Sequence, residues 1–344
     1  MTGDFHAMNP MFGTKLLDPK EVIRIDPMMP VPHKRPLVIY HGNCADGFSA
    51  AWCFWNSQEE AQISYDFHAG VYGEEIPDVE DRVVYMVDFS YKADKVAKIL
   101  ELCNGLYFID HHKTAIEDLR QFADHPKFVT YTDLERSGAM LAWDFLHNTV
   151  WEFPRTEYST GYAKPKLVAG LNAFEQEYRV PPILLDHVQD RDLWKFKLEG
   201  TRPIQAAMFS YEYTFENWDK MMLGELKQKM ELWKEGVAIE RKHFKDIKEL
   251  LEVTTRWMYI NGVAVPTANL PYTLASDAGH ALLEKYPNAP FAAVYYDTLT
   301  HRVFSLRSSA SRSDVSEIAA LYGGGGHRNA AGFKVDRMHA LARD

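Results

Sequence analysis

The chain is poor in cysteine: among 344 residues only Cys44, Cys53 and Cys103 occur, and none belongs to a CxxC pair. An odd, sparse set excludes a disulfide framework and points to a reducing compartment, here expected to be the cytosol. No run of about 18 apolar residues is present, so no membrane span is expected. The first twenty residues also lack the charged start, apolar stretch and small-residue cleavage site of a secretory signal. Positive charge is not in excess either, with 38 Lys+Arg against 48 Asp+Glu and a net charge of −10. Long polyanions are gripped by many Lys and Arg contacts with counterion release. An acidic body suits that task poorly, but it accommodates a metal ion or a small phosphate ligand. What charge asymmetry there is favours the end of the chain, where residues 256–344 hold 9 basic and 7 acidic side chains.

What remains is an ordinary globular composition, 46% apolar and 25% charged, which length alone divides into roughly two domains. Residues 1–34 show no clear period and are expected to form a loose extension. From there the text alternates. LVIYH (37–41), ISYDF (63–67), RVVYMVDF (82–89), LYFID (106–110) and KFVTY (127–131) are short apolar strand candidates with helical stretches between them. Ser90 is placed to cap the helix KADKVAKILELC, which has Val96, Ile99 and Leu100 on one face. Apolar strands separated by helices predict an α/β domain, over residues 35–205, with a parallel sheet covered on both faces. Residues 206–254 read as a helical linker. Residues 255–344 read as a smaller α/β domain with two strand pairs, WMYING with VAVPTANL and FAAVYYD with HRVFSLRS, and helices near 274–286 and 313–321.

In a parallel sheet the ligand site lies beyond the carboxyl ends of the strands, and there the polar residues collect. His41 ends the first strand, Asp88 the third and Asp110-His111-His112 the fourth, while Asp46 follows in the first loop and Asp190 and Asp192 lie in QDRDLWKF. Three adjacent polar groups after a buried strand cost burial energy unless paired or metal-bound. Mixed carboxylate and imidazole donors suit Mn²⁺ or a similar ion, and no thiolate cluster suggests structural zinc. The second concentrated signal is Gly323-Gly324-Gly325-Gly326-His327-Arg328. Glycines let a backbone approach a ligand closely and turn N–H groups towards an anion. Ser305 and Arg307, at the end of VFSLR, are candidates to face the same anion.

Taken in order, HGNCADGFSAA, VDFS, IDHH, ERSGAMLAWDF, QDRDLW and GGGGHRNAAGF resemble the motifs of the DHH phosphoesterase superfamily, in the branch with a DHH-associated C-terminal domain. The resemblance spans roughly residues 36–335. That branch contains RecJ-type and short-oligonucleotide exonucleases, pAp phosphatases and cyclic-dinucleotide phosphodiesterases. It implies two metal ions, usually Mn²⁺ with Mg²⁺ or Co²⁺ as alternatives, and a substrate cleft between domains. Carried over, Asp88 would bridge both ions, His41 would help hold one, and Asp46, His111 and Asp190 would hold the other. His112 would face the scissile phosphate. Gly325, Gly326, His327 and Arg307 would bind the substrate's terminal phosphate or nucleotide, away from the reacting phosphorus, and Asp192 would be a supporting residue. The resemblance implies hydrolysis of short oligonucleotides or small phosphorylated nucleotides. Cyclic-dinucleotide or pAp hydrolysis is the alternative, a silent nucleotide-binding regulator is a more distant one, and a homodimer is left open. One departure stands out. The superfamily's first motif carries two aspartates in a D-x-D arrangement, whereas this chain has only Asp46, so Asn43, Cys44 or water must stand in for the first.

Overall fold

The computed structural model describes residues 34–147, 149–152, 164–167 and 179–343, apart from Asn43 and Glu225. The expected loose extension lies outside the described residues except at Lys34. The chain runs β1 (Leu37–His41), α1 (Ala45–Ala61), β2 (Asp66–Gly70), β3 (Val83–Val87), α2 (Ala93–Leu102), β4 (Gly105–Asp110), α3 (Lys113–Leu119), β5 (Phe128–Thr132) and α4 (Gly138–His147). The five strands form one parallel sheet in the order β2-β1-β3-β4-β5.

Successive strand side chains point to opposite faces, and here both faces are buried. Val38, Val87 and Ile109 face a core built with Trp52 and Phe54 of α1 and Met140 and Trp143 of α4. Their neighbours Ile39, Met86 and Phe108 face the other core, with Val96, Ile99 and Leu100 of α2. That is why these strands read as continuous apolar runs. After a short antiparallel pair, β6 (Thr149–Glu152) with β7 (Lys164–Leu167), three helices extend the first core. They are α5 (Ile183–Asp192), α6 (Thr201–Met208) and α7 (Phe215–Met222), which contribute Leu184, Ile204 and Trp218.

Two local expectations are corrected. The second strand is not 63–67 but 66–70, with Leu37 opposite Asp66. Gln62 ends α1 in a left-handed turn at φ 52, and Ile63 and Tyr65 bury their side chains from the connection rather than from the sheet. Nor does Ser90 cap α2: its hydroxyl donates to the Tyr91 carbonyl at 2.6 Å. The Asp118 carboxylate of α3 instead accepts from Ala93 N at 3.0 Å, a capping role supplied from another helix.

The next helix, α8 (Leu226–Thr254), has 29 residues, about 43 Å at 1.5 Å per residue. Leu232 joins the first-domain core, and Gly236 lies so close to α6 that a Cβ there would sit 1.7 Å from the Pro203 carbonyl oxygen. Ile247 and Leu251 belong to a core of the second domain, so one helix packs on both. The second domain comprises β8 (Arg256–Ile260), β9 (Val263–Asn269), α9 (Ala275–Lys285), β10 (Ala292–Asp297), β11 (His301–Arg307), α10 (Val315–Ala320), β12 (Gly325–His327) and β13 (Ala330–Asp336). Its sheet has the order β12-β13-β11-β10-β9-β8, antiparallel except for β9 beside β10. The two anticipated strand pairs are there, but the Gly-rich stretch adds an edge hairpin, β12 with β13. Glycines carry no side-chain alternation, so periodicity could not show that strand. No described helix is long and apolar enough to cross a membrane.

Candidate active site

The carboxyl ends of β1, β3 and β4 meet at one rim. Asp88 leaves β3 with a left-handed φ of 53, a conformation that costs a non-glycine residue about 1–3 kcal/mol and marks functional sites. Gly138 makes room for it, because a Cβ at that position would lie 2.4 Å from Asp88 Cβ. The same turn of α4 fixes a second carboxylate. Gly138 N and Ala139 N, both at the amino end of the helix, donate to Asp46 Oδ2 at 2.6 Å and Oδ1 at 3.1 Å, where the helix dipole favours negative charge. This is the structural use of the ERSGAM stretch.

His111, 1% exposed, is the centre of the arrangement. Its Nε2 lies 3.1 Å from Asp88 Oδ1, 3.5 Å from Asp192 Oδ2 and 3.7 Å from Asp46 Oδ2. Its Nδ1 is buried without a partner among the described residues. His112 is held differently: its Nδ1 donates to Asp110 Oδ1 at 2.7 Å, and the same oxygen accepts from the backbone N–H groups of His111 and His112. Burial works against ionisation of Asp110, but the His112 ring outweighs it and holds the carboxyl at about 2. Burial likewise opposes the charge on His112, and Asp110 overcomes it, so the imidazole sits above its ordinary value. Asp110 was visible in the motif but had no role assigned from sequence; it positions His112.

The other carboxylates are not compensated. Burial first, then Asp46, raises Asp88 well above the usual carboxylate range. The same two influences push Asp192 up to about 6. Three carboxylates around one imidazole nitrogen, with too little cation nearby, are the donor set of a divalent metal rather than of a salt bridge. Asp46, His111 and Asp192 offer donor atoms within 4.8 Å of one another, and so do His41, Cys44 and Asp88. The residues therefore fit a metal centre. Asn43, the other sequence candidate for the missing aspartate, falls outside the described residues.

The structure sets the two QDRD aspartates apart, and not on the sides expected. Asp190 points away from the rim and is fully engaged, accepting from Lys197 N at 2.8 Å, Leu198 N at 3.0 Å and Thr201 Oγ1 at 2.6 Å. Asp192 reaches His111 instead. Both sit on α5, and residues two apart on a helix lie about 200° apart around its axis, so only one can face the site. A motif read as a string does not show which.

The second domain closes over this rim more tightly than a remote clamp would. The His327 ring stacks on His112 at 4.4 Å with an interplanar angle of 22°, and lies 4.6 Å from His111. His327 thus forms part of a histidine cluster with His111 and His112. Gly326 N donates to Thr114 Oγ1 of α3 at 2.9 Å, so this N–H is committed to the other domain rather than turned to an anion. Gly326 has φ 137, and a Cβ on Gly325 would lie 2.6 Å from Thr114 Oγ1, which is what the glycines permit. Arg307 donates to Ser305 Oγ at 3.0 Å and to the hydroxyl of Ser276. Burial, then Arg191, lowers its guanidinium to about 10.

Between the domains lies a cleft of about 1930 Å³ lined by His41, Asp88, His112, His327, Arg307 and Arg191, with Tyr72, Tyr213 and Tyr272 on its walls. The cleft's far end is tied by Asp277 of α9. It pairs with Arg191 at 3.4 Å, Arg202 at 3.3 Å and His243 at 3.0 Å, three residues drawn from α5, α6 and α8. Nothing in the sequence pattern signalled this cluster, because each member stands alone in its helix.

No family model matches the chain. An uncharacterized protein of Acanthamoeba polyphaga mimivirus is 28% identical over 327 residues, covering 86% of this chain and 66% of that protein. The chain therefore spans just under two thirds of that relative's length. Among solved structures, it is similar to the DHH domain of a member of the s1p family of ribosomal proteins. The TM-score is 0.54 and the identity 13%, over 88% of this chain and 83% of the other. An exonuclease RecJ bound to manganese matches with a TM-score of 0.46 and 15% identity, over 88% and 86% of the two chains. The chain shares the fold of that DHH domain, with a parallel-sheet α/β domain joined to a second domain with a mixed sheet.

Proposed function

We propose that the chain is a metal-dependent phosphodiesterase that hydrolyses short oligonucleotides or small phosphorylated nucleotides held between its domains. One observation carries this: Asp46, Asp88 and Asp192 converge on His111 Nε2 at the edge of a cleft to which Arg307 of the second domain and Arg191, beside Asp192 on α5, bring positive charge. The cleft can thus take cations at the rim and anionic phosphates beyond it. Asp88, Asp46, His111 and Asp192 would hold Mn²⁺, with His41 contributing at Asp88's other side; Mg²⁺ and Co²⁺ suit similar donors. When bound, such ions polarise a phosphate and make water a usable nucleophile near neutral pH.

The chain's own residues do the rest. Asp110 keeps His112 oriented and favours its protonated form, so that it donates towards charge developing on the phosphate. His327 covers His112 and excludes water from that side. Arg307, fixed by Ser276 and Ser305, presents a planar donor pair to a substrate phosphate. Tyr72, Tyr213 and Tyr272 offer faces on which bases stack without sequence preference. A cleft closed on one side by α9 and its ion pairs suits a chain end or a small nucleotide, in keeping with the acidic body.

The test is a panel of di- to decanucleotides, cyclic dinucleotides and pAp, assayed with Mn²⁺ beside bis-p-nitrophenyl phosphate. Mn²⁺-dependent cleavage, greatest on the shortest linear chains, is expected. Preference for a cyclic dinucleotide or pAp would replace the substrate class and leave the chemistry. No turnover of any diester with any of the three metals would overturn the proposal.

A further inference from the structure

The rim contains two donor groups of different chemical character. Asp46, His111 and Asp192 offer only nitrogen and oxygen. His41, Cys44 and Asp88 add a sulfur, and their donor atoms likewise lie within 4.8 Å of one another. Several features show this sulfur to be placed rather than incidental. Cys44 stands at the amino end of α1 with an extended backbone, φ −123 and ψ 133. It lines the cleft and is only half-buried, so an ion can reach it. Histidine and cysteine with two residues between them across a strand-to-helix turn, His41 and Cys44, have a spacing that recurs between ligand pairs of metal sites.

The buried partner adds an independent sign. Asp88 is 1% exposed, and its Oδ1 is the oxygen that meets His111 Nε2 at 3.1 Å. Its Oδ2 lies 3.8 Å from His41 Nδ1, too long for a hydrogen bond. Two ligands on one tetrahedral ion, with bonds of about 2.0–2.3 Å, stand about 3.3–3.8 Å apart. The other thiols offer no such company: Cys53 lies in the first core and Cys103 in the second.

Resting on the proposed metal dependence, we infer that Cys44 is a thiolate ligand which, with His41 and Asp88, makes the first metal position selective for a thiophilic divalent ion such as Zn²⁺, Co²⁺ or Fe²⁺ over Mg²⁺. The second position, with nitrogen and oxygen donors only, retains the preference for Mn²⁺ or Mg²⁺. Binding at the first position exchanges the thiol proton for the metal–sulfur bond and releases that proton to solvent. The centre is then built for two unlike ions, and the sulfur fills the place of the absent aspartate.

The experiment titrates the metal-stripped full chain with Co²⁺ and follows its absorption. A sulfur-to-cobalt charge-transfer band in the near ultraviolet should grow with one equivalent and not with the second. Cys44→Ser should lose the band while the second site still fills. Cys44→Asp should lose it too and lower the ratio of Zn²⁺ to Mn²⁺ retained, measured by elemental analysis, at least tenfold. If a variant fails to fold, alkylation of Cys44 in the native chain, mapped by mass spectrometry, gives the answer. Zn²⁺ should slow it at least tenfold and Mg²⁺ should not. Absence of the band, its persistence in Cys44→Ser, or equal protection by both ions would overturn the inference. A band without hydrolysis of any diester would leave Cys44 a ligand and remove the proposed function; Mn²⁺-dependent hydrolysis without a band would do the reverse.

Discussion

Carboxylates at two ends of the same cleft are built on opposite terms. At the rim, Asp46, Asp88 and Asp192 crowd one imidazole, and burial with mutual repulsion drives Asp88 up and Asp192 to about 6. At the far end, Asp277 is alone among Arg191, Arg202 and His243. Burial disfavours its charge as well, but these three partners outweigh that and hold it at about 2. A carboxylate with surplus cation is a tie between elements. Carboxylates with a deficit of cation are a demand for one, and the fold keeps them at the strained end of β3, where φ 53 at Asp88 is retained at a cost. Asp46, Asp88 and Asp277 are all buried and alike in residue type; the local balance of charge separates site from latch.

The largest effect that would break this contrast is on turnover. Asp88→Asn should lower kcat on the order of a thousandfold, the scale lost when a principal electrostatic stabiliser is removed, with no fall in the Tm of the metal-free protein. A Tm loss equal to that of a core mutation would mean that Asp88 is a structural group. Next, Asp192→Asn should weaken metal binding by more than about 100-fold, since even an outer partner of a ligand is worth about 10–100-fold. Asp190→Asn should leave the metal count unchanged and cost stability, about 1–3 kcal/mol for its hydrogen bonds. Calorimetric metal titration beside urea unfolding separates the two; the opposite pattern would restore Asp190 as the ligand.

Much of this was legible in the letters, and the losses have physical reasons. The alternating strands and helices of the first domain were readable because both sheet faces are buried, so β1, β3 and β4 are apolar up to their carboxyl ends. His41, Asp46, Asp88, His111 and His112 were readable because strand ends converge whatever the sequence distance between them. Asp190 and Asp192 could not be told apart, since which side of α5 faces the rim depends on how that helix packs. His327 was found without its neighbours: the Gly-rich letters showed a close backbone approach, but not that it would bring Gly326 onto Thr114 and His327 onto His112. Asp277 was invisible because its partners lie in three separate helices.

The latch is tested through pH. Because Asp277 is held below its ordinary value, the unfolded chain binds more protons near pH 3, so stability from this group is present above about pH 4 and is lost as pH falls towards 2. The shift to about 2 corresponds to about 2 kcal/mol. Asp277→Asn should therefore lower stability by about that amount at pH 7 in urea unfolding, and the gap from wild type should close as pH is brought down from 4 towards 2. A gap that is constant with pH would show the loss to be one of packing. The smallest effect concerns His327, whose stacking on His112 is worth about 0.5–1.5 kcal/mol. His327→Ala should slow a dinucleotide and bis-p-nitrophenyl phosphate equally, by about 2- to 12-fold. A loss confined to the dinucleotide would return His327 to the substrate's far end.

Elemental analysis of the metal-stripped and Mn²⁺-reloaded chain, alongside its Asp88→Asn variant, reaches the cation deficit at the rim most directly. Two ions per wild-type chain and at most one in the variant are the expected counts. A wild-type chain that retains none, or a variant that retains both, would contradict the assignment of this cluster as a metal centre.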